Sequence, residues 1–177
     1  EILTGGVEST PIMYDGHGDL ARTTHVFERG NWTVKGKKVN PDVPNLFRES
    51  GAKTASMKNR LDLAKWMTSR EHPLTARVAV NRIWEQLFGT GIVETVEDFG
   101  SQGITPTHQE LLDWLSVELM ETHQWSLKKL LKQITLSATY RQSAAVTSEK
   151  LAQDPFNKWL SRGPRVRLSA EQIRDQL

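Results

Sequence analysis

The sequence predicts a mainly α fold: a helical domain of about four to six helices, preceded by a small β-hairpin and an extended segment. Three observations carry this. From about Ser56 onward, apolar residues recur at helical spacing in stretches bounded by Pro, Gly and Ser/Thr caps. Before that point helical periodicity is weak, and Gly, Pro and Asn punctuate short β-type runs. Finally, 177 residues with 37% hydrophobic and 25% charged content suit a globular domain of ordinary size. The expected division is residues 1–52, a hairpin and extended segment lying on the rest, and 53–177, the helical domain.

Thr23–Arg29 (TTHVFER) is a β-type run, Gly30-Asn31 a turn signal, and Asn31–Val34 (NWTV) a second strand ending before Gly36. Two strands are marginal alone in water, so the hairpin is expected to rest on another element. Pro41 and Pro44 in VNPDVPNLF predict an extended course anchored by Leu46 and Phe47. Leu61, Ala64 and Met67, with Leu63 and Trp66 beside them, predict a short amphipathic helix ending near Ser69. Pro73 opens a second helix through Phe88, which Gly89 stops in the left-handed region.

Gly89, Gly91, Gly100 and Gly103 make residues 89–105 a loop, with GIVETV briefly extended. Thr107 and Glu110 form a capping box that starts LLDWLSVELMET, with Leu111, Leu112, Leu115 and Leu119 as its apolar stripe. Ser126 caps a fourth helix lined by Leu127, Leu130, Leu131, Ile134 and Ala138. Ser169 and Gln172 form a second capping box, and the helix they open runs out at Leu177 without a stop signal. The opening EILTGG has neither Met nor an apolar signal segment. Both ends therefore read as cuts in a longer protein.

Composition excludes several functions. The net charge of +2 gives no argument for nucleic acid. No apolar run approaches the ~20 residues of a membrane helix. With zero cysteines, thiolate catalysis, disulfides, cysteine-ligated zinc and covalent haem attachment are out of reach of this segment, and no cofactor is expected in it.

The polar residues of TARVAVNRIWEQLFG, Thr75–Gly89, pose the main functional question. On a helical wheel Ala76, Val80, Ile83, Trp84 and Leu87 cluster, and Arg77 falls inside that apolar arc with Asn81 next around. Arg82 and Gln86 point away. A guanidinium near a core must be paired, and Asp62, Asp98, Glu110 and Asp113 are the candidate acceptors. An Arg77–carboxylate clamp between helices is the preferred reading. An anion or carbohydrate contact at a cleft rim is the alternative.

Other constellations are weaker. Asp15, His17 and Asp19 alternate in YDGHGD, with His25 as a fourth possible metal ligand, but the intervening glycines favour a polar surface loop. FGSQG lacks the spacing of a nucleophile elbow, and His108 and Asp113 do not share a helix face, so no triad forms. Lys128, Lys129 and Lys132, with Arg162, Arg165 and Arg167, could track phosphates or sulfated sugars, although a solvated face is the plainer account. Trp66, Trp84 and Trp114 are expected in the core, and Trp32 and Trp159 are exposed stacking groups or interface anchors.

The strings NRLDLAKWM, HPLTARVAVNRIWEQLFGTGIVETVEDFG and PTHQELLDWLSVELMETHQWSLKKLLKQITLSATYRQS, in this order, resemble a bacterial family. It is the planctomycete-type domain of unknown function numbered fifteen fifty-three. THVFERGNWTVKGKKVNPDVPNLF upstream and DPFNKWLSRGPRVRLSAEQIRDQL downstream extend the resemblance from about Thr23 to the end. The resemblance implies a long, exported, multidomain protein of the periplasm or cell envelope. Such proteins usually carry a preceding sister domain, and many carry a cytochrome c-like module nearer the amino terminus. It implies no catalytic residue. The expected function is a non-catalytic helical module that scaffolds or binds, with other domains of the same polypeptide and polysaccharide as candidate partners. Its binding candidates are Arg77, Asn81, Asp98, His108, Asp113 and Trp32. The alternative is a polysaccharide-acting hydrolase or redox-associated enzyme, with Glu97, Asp98 or His108 acting near the 89–108 loop and the hairpin.

Overall fold

The computed structural model describes residues 16, 22–49 and 58–176. Among them are eight α-helices and one two-stranded antiparallel sheet, the mainly α architecture expected. Two compact units divide the chain after Ser69, so the first long helix, Arg60–Met67, goes with the amino-terminal unit. Asp15, His17 and Asp19 lie outside the described residues.

In the amino-terminal unit β1 (Thr24–Phe27) pairs with β2 (Lys35–Val39), with Thr24 opposite Val39 and His25 opposite Lys38. The second strand is therefore KGKKV, not NWTV. Asn31 explains the shift: its Oδ1 accepts hydrogen bonds from the Thr33 amide (3.1 Å) and hydroxyl (2.8 Å). That local bonding competes with strand pairing and keeps NWTV in the turn. Trp32 sits there, exposed. The segment after Pro44 is also not extended, because Asn45–Glu49 forms a helical turn, α1. Val43 is buried and Leu46 exposed, reversing the expected anchor, while the Phe47 ring meets Trp66 edge-on at 5.6 Å. Helix α2 (Arg60–Met67) is capped by Asn59, whose Oδ1 accepts from the Asp62 amide at 2.9 Å.

In the second unit α3 (Thr75–Phe88) begins two residues after Pro73. The side chain that serves its first turn is His72, whose Nδ1 accepts from the amides of Leu74 (3.3 Å) and Thr75 (3.1 Å). Partial burial lowers the His72 pKa, which favours the neutral ring whose nitrogen can accept these bonds. Gly89 ends the helix at φ +84°, as its sequence position requires.

After a loop, α4 (Gln109–Val117) packs against α3 and continues as a π-helical turn, Glu118–Thr122. The capping box expected at Thr107 does not form. Thr107 instead closes the loop, donating its amide (2.9 Å) and hydroxyl (3.2 Å) to the Ile92 carbonyl. Helices α5 (Leu127–Leu136), α6 (Ala138–Arg141) and α7 (Ser148–Gln153) follow. The last, α8 (Ala170–Gln176), shows the expected reciprocal box: Ser169 amide to Gln172 Oε1 at 2.9 Å, Gln172 amide to Ser169 Oγ at 3.3 Å.

The core joins Val80 and Trp84 of α3, Ile92 and Val93 of the loop, Leu112, Leu115 and Leu119, and Leu130 and Ile134 of α5. Trp84 stacks on Phe88 with centroids 4.0 Å apart. Trp114, expected in this core, is half exposed. It lies ~100° around the helix from Leu115, off the face that α4 buries. Leu127 and Leu131 are also at the surface, so α5 buries only the i, i+4 pair Leu130 and Ile134.

Candidate binding site

The segment that follows α7 is built around residues with unusual conformations and paired polar groups. Asp154 is buried, and its carboxylate accepts from two successive amides, Lys158 (2.7 Å) and Trp159 (3.0 Å). Arg162, also buried, donates Nη1 to the Asp154 carbonyl and Nη2 to the Pro155 carbonyl, both at 2.8 Å. Between them Asn157 bonds both main-chain groups of Arg162, donating Nδ2 to its carbonyl (3.0 Å) and accepting from its amide (3.2 Å). Asn157 (φ +53°) and Leu160 (φ +54°) occupy the left-handed region, where a leucine persists only if its surroundings hold it there. Leu160 is held by packing on the core and by Gln142, whose Nε2 donates to its carbonyl at 2.8 Å.

What this braced loop presents is aromatic. Phe156 is 80% and Trp159 70% exposed, although each carries a large apolar surface. His108 meets the Trp159 ring edge-on, with centroids 5.9 Å apart and planes at 75°, and its Nδ1 lies 3.0 Å from the Thr107 hydroxyl. Beneath lies a cleft of about 140 Å³ walled by Trp84, Phe88, Thr107, His108, Phe156 and Leu160, among others. Glu94 and Lys158 also line it, joined by an ion pair of 3.1 Å.

A second cleft of about 320 Å³ opens at the amino-terminal end of α3, with Arg77 and Gln109 among mainly apolar walls that include Leu74, Val93, Phe99 and Leu112. No carboxylate is among its lining residues. Arg77 donates Nε to Asp113 Oδ1 at 2.6 Å and Nη1 to the Pro73 carbonyl, so of the four expected acceptors it takes Asp113. The pair is not buried as the wheel suggested: the side chains are 34% and 39% exposed. The Arg77 hydrogen bond, followed by one from Gln109, holds the Asp113 carboxyl below its usual pKa.

The remaining sequence candidates are dispersed. Asn81 is fully buried, and its amide bonds both main-chain groups of Val93, at 2.9 Å to the carbonyl and 2.8 Å from the amide. Gly91 must be glycine for this clamp to close, since a Cβ there would lie 2.7 Å from Asn81 Nδ2 and 2.5 Å from the Val93 carbonyl. Asp98 accepts from the Gly100 amide at 2.7 Å, and exposed Glu97 lies 3.6 Å from Arg82. Neither acid lines either cleft. Trp32 belongs to the amino-terminal unit. His25 is half-buried within β1. Among the described residues no three His, Asp or Glu side chains gather as metal ligands. Lys128, Lys129 and Lys132 are exposed, as a solvated face requires, but Arg162 is buried and serves the loop.

Sequence reasoning singled out Trp159 and His108 but missed Asp154, Phe156 and Asn157. The run DPFNKW carried a signal: an Asp before Pro, then an Asn, is turn chemistry set among aromatics.

The model of the PSD1 family, a protein of unknown function (DUF1553), matches residues 59–177. The chain belongs to that family. The DUF1553 match holds α2 to α8, both clefts and the braced loop, and begins after the hairpin. No curated protein and no solved structure matches the chain. Among the described residues no helix is long and apolar enough to cross a membrane.

Proposed function

We propose that this DUF1553 chain is a non-catalytic binding module of a larger exported multidomain protein, and that its binding face is the 154–160 loop with the cleft beneath it. One observation carries the reading: a loop with two left-handed residues and a buried Asp–Arg frame holds Phe156 and Trp159 out in water. Keeping large apolar rings exposed on a rigid support is unfavourable for a surface with no partner, and it removes the ordering cost of binding in advance.

The polar groups near the clefts support binding over turnover. Asp113 is held as a carboxylate by Arg77, which unsuits it as a general acid. Glu94 is engaged by Lys158. A glycosidase-type reaction needs two carboxyl groups facing across one cleft, and Glu94 is the single acid in the wall of the 140 Å³ cleft. Export to the periplasm or cell envelope rests on the family resemblance, as does the expectation that other domains of the same polypeptide are its neighbours.

The test uses the full chain labelled with fluorotryptophan, its Trp159 resonance assigned with the W159F variant. Neutral hexasaccharides, a sulfated heparin hexasaccharide and a short Leu/Phe-rich peptide are titrated in turn. The expected result is a saturable shift of Trp159 with at least one probe, which is recovered unaltered after prolonged incubation. No shift with any probe overturns the binding face, and cleavage or oxidation of the bound probe overturns the non-catalytic assignment.

A further inference from the structure

We infer that the ligand of this face is an uncharged polysaccharide, whose sugar rings stack on the exposed rings of Phe156 and Trp159 and set hydroxyls into the cleft. The inference rests on the binding-module reading above and adds the ligand class.

Four features converge on it. A pyranose has an apolar C–H face and a rim of hydroxyls that both donate and accept. The site offers the complement: exposed aromatic rings on Phe156 and Trp159, then Thr90, His108, Glu94 and Lys158 as hydrogen-bonding groups around the cleft.

The charge balance selects against ions. Glu94 and Lys158, each about half exposed, neutralise each other at 3.1 Å, so the cleft wall offers no net charge to draw an ion. Hydroxyl groups bond to both without breaking it.

Size points the same way. At about 140 Å³ the cleft falls below the ~300–1,000 Å³ that takes a drug-sized molecule, so it accommodates one ring-sized unit of a longer chain lying across the surface.

A peptide strand is disfavoured by the loop's own bonding. The amides of Lys158 and Trp159 are taken by Asp154, that of Leu160 by the Asn157 carbonyl, and that of Arg162 by the Asn157 side chain. Strand addition needs such groups free.

The experiment is titration calorimetry of the full chain at low and at physiological salt, with gluco-, xylo-, manno- and galacto-hexasaccharides and the heparin hexasaccharide, and the peptide as a third arm. Expected is binding of at least one neutral hexasaccharide with an affinity indifferent to salt. W159A should weaken it tenfold or more and F156A severalfold, both variants keeping the wild-type circular dichroism because these rings are exposed. Binding of heparin or peptide with no neutral sugar bound overturns the inference and leaves the binding-module reading standing. Neutral-sugar binding unaffected by W159A and F156A overturns the site. Absence of binding by every probe overturns both.

Discussion

Two regions of the second unit use the same device in different surroundings. On α3 the Asn81 side chain bonds the amide and carbonyl of Val93, and in the 154–163 loop the Asn157 side chain does the same to Arg162. A carboxamide offers one donor and one acceptor at the spacing a β-strand neighbour would offer, so it can replace a strand where none exists. The first clamp is wholly buried and ties the loop after α3 into the core beside Ile92 and Val93. The second is half-exposed and leaves the rings beside it in water. One clamp therefore serves the fold and the other serves presentation. A neutral amide can do the first job because it brings no charge to desolvate.

The largest effect should follow from Asn81→Leu. Leucine keeps the volume but leaves the Val93 amide and carbonyl buried without partners, at ~1–3 kcal/mol each. A loss of about 2–5 kcal/mol in urea unfolding is expected, or failure to fold at all. A loss under ~1 kcal/mol would mean that the clamp is dispensable and that packing alone seats the loop.

Asn157 should matter less, and in two separable parts. Asn157→Ala removes the clamp and places a Cβ-bearing residue with no side-chain compensation at φ +53°, for a loss of about 1–3 kcal/mol. Asn157→Gly removes the clamp but suits that φ, so it should recover part of the loss. If glycine and alanine prove equally harmful, the conformation is not what asparagine supplies. If both are neutral, the loop is held by Asp154 and Arg162 without it.

The contrast also explains what could be read from the chain. Helix periodicity, Gly89 as a stop and the Ser169 box were legible because each depends on residues within one turn. NWTV was misread because a single side chain, Asn31, outcompeted a strand pattern. Arg77 was correctly expected to find a carboxylate, yet the wheel placed it in the apolar arc without showing that the arc ends at an open cleft. Trp84 on a helix and Trp159 outside one were told apart by their setting, but the buried frame that holds Trp159 outside, joining Asp154 to Arg162 across irregular chain, was not legible. Such frames have no period to detect.

Arg77 and Asp113 supply the smallest effect and the sharpest contrast with Asn81, one turn along the same helix. The ion pair is more than a third exposed at Asp113 and screened by solvent, so Arg77→Ala or Asp113→Asn should cost up to about 1 kcal/mol, not the ~3–5 kcal/mol of a broken buried pair. Its signature is pH. With the Asp113 carboxyl held below its unfolded value of ~3.9 by Arg77 and then Gln109, the contribution is complete above about pH 5. It disappears as acid carries the pH through the lower folded value, because both states are then protonated. The stability gap between wild type and Asp113→Asn, measured by urea unfolding from pH 7 downward, should therefore be constant to about pH 5 and close below it. A gap of several kcal/mol at pH 7 would return Arg77 to the role of buried brace, and a gap that did not narrow in acid would show that the carboxylate charge is not what Arg77 holds.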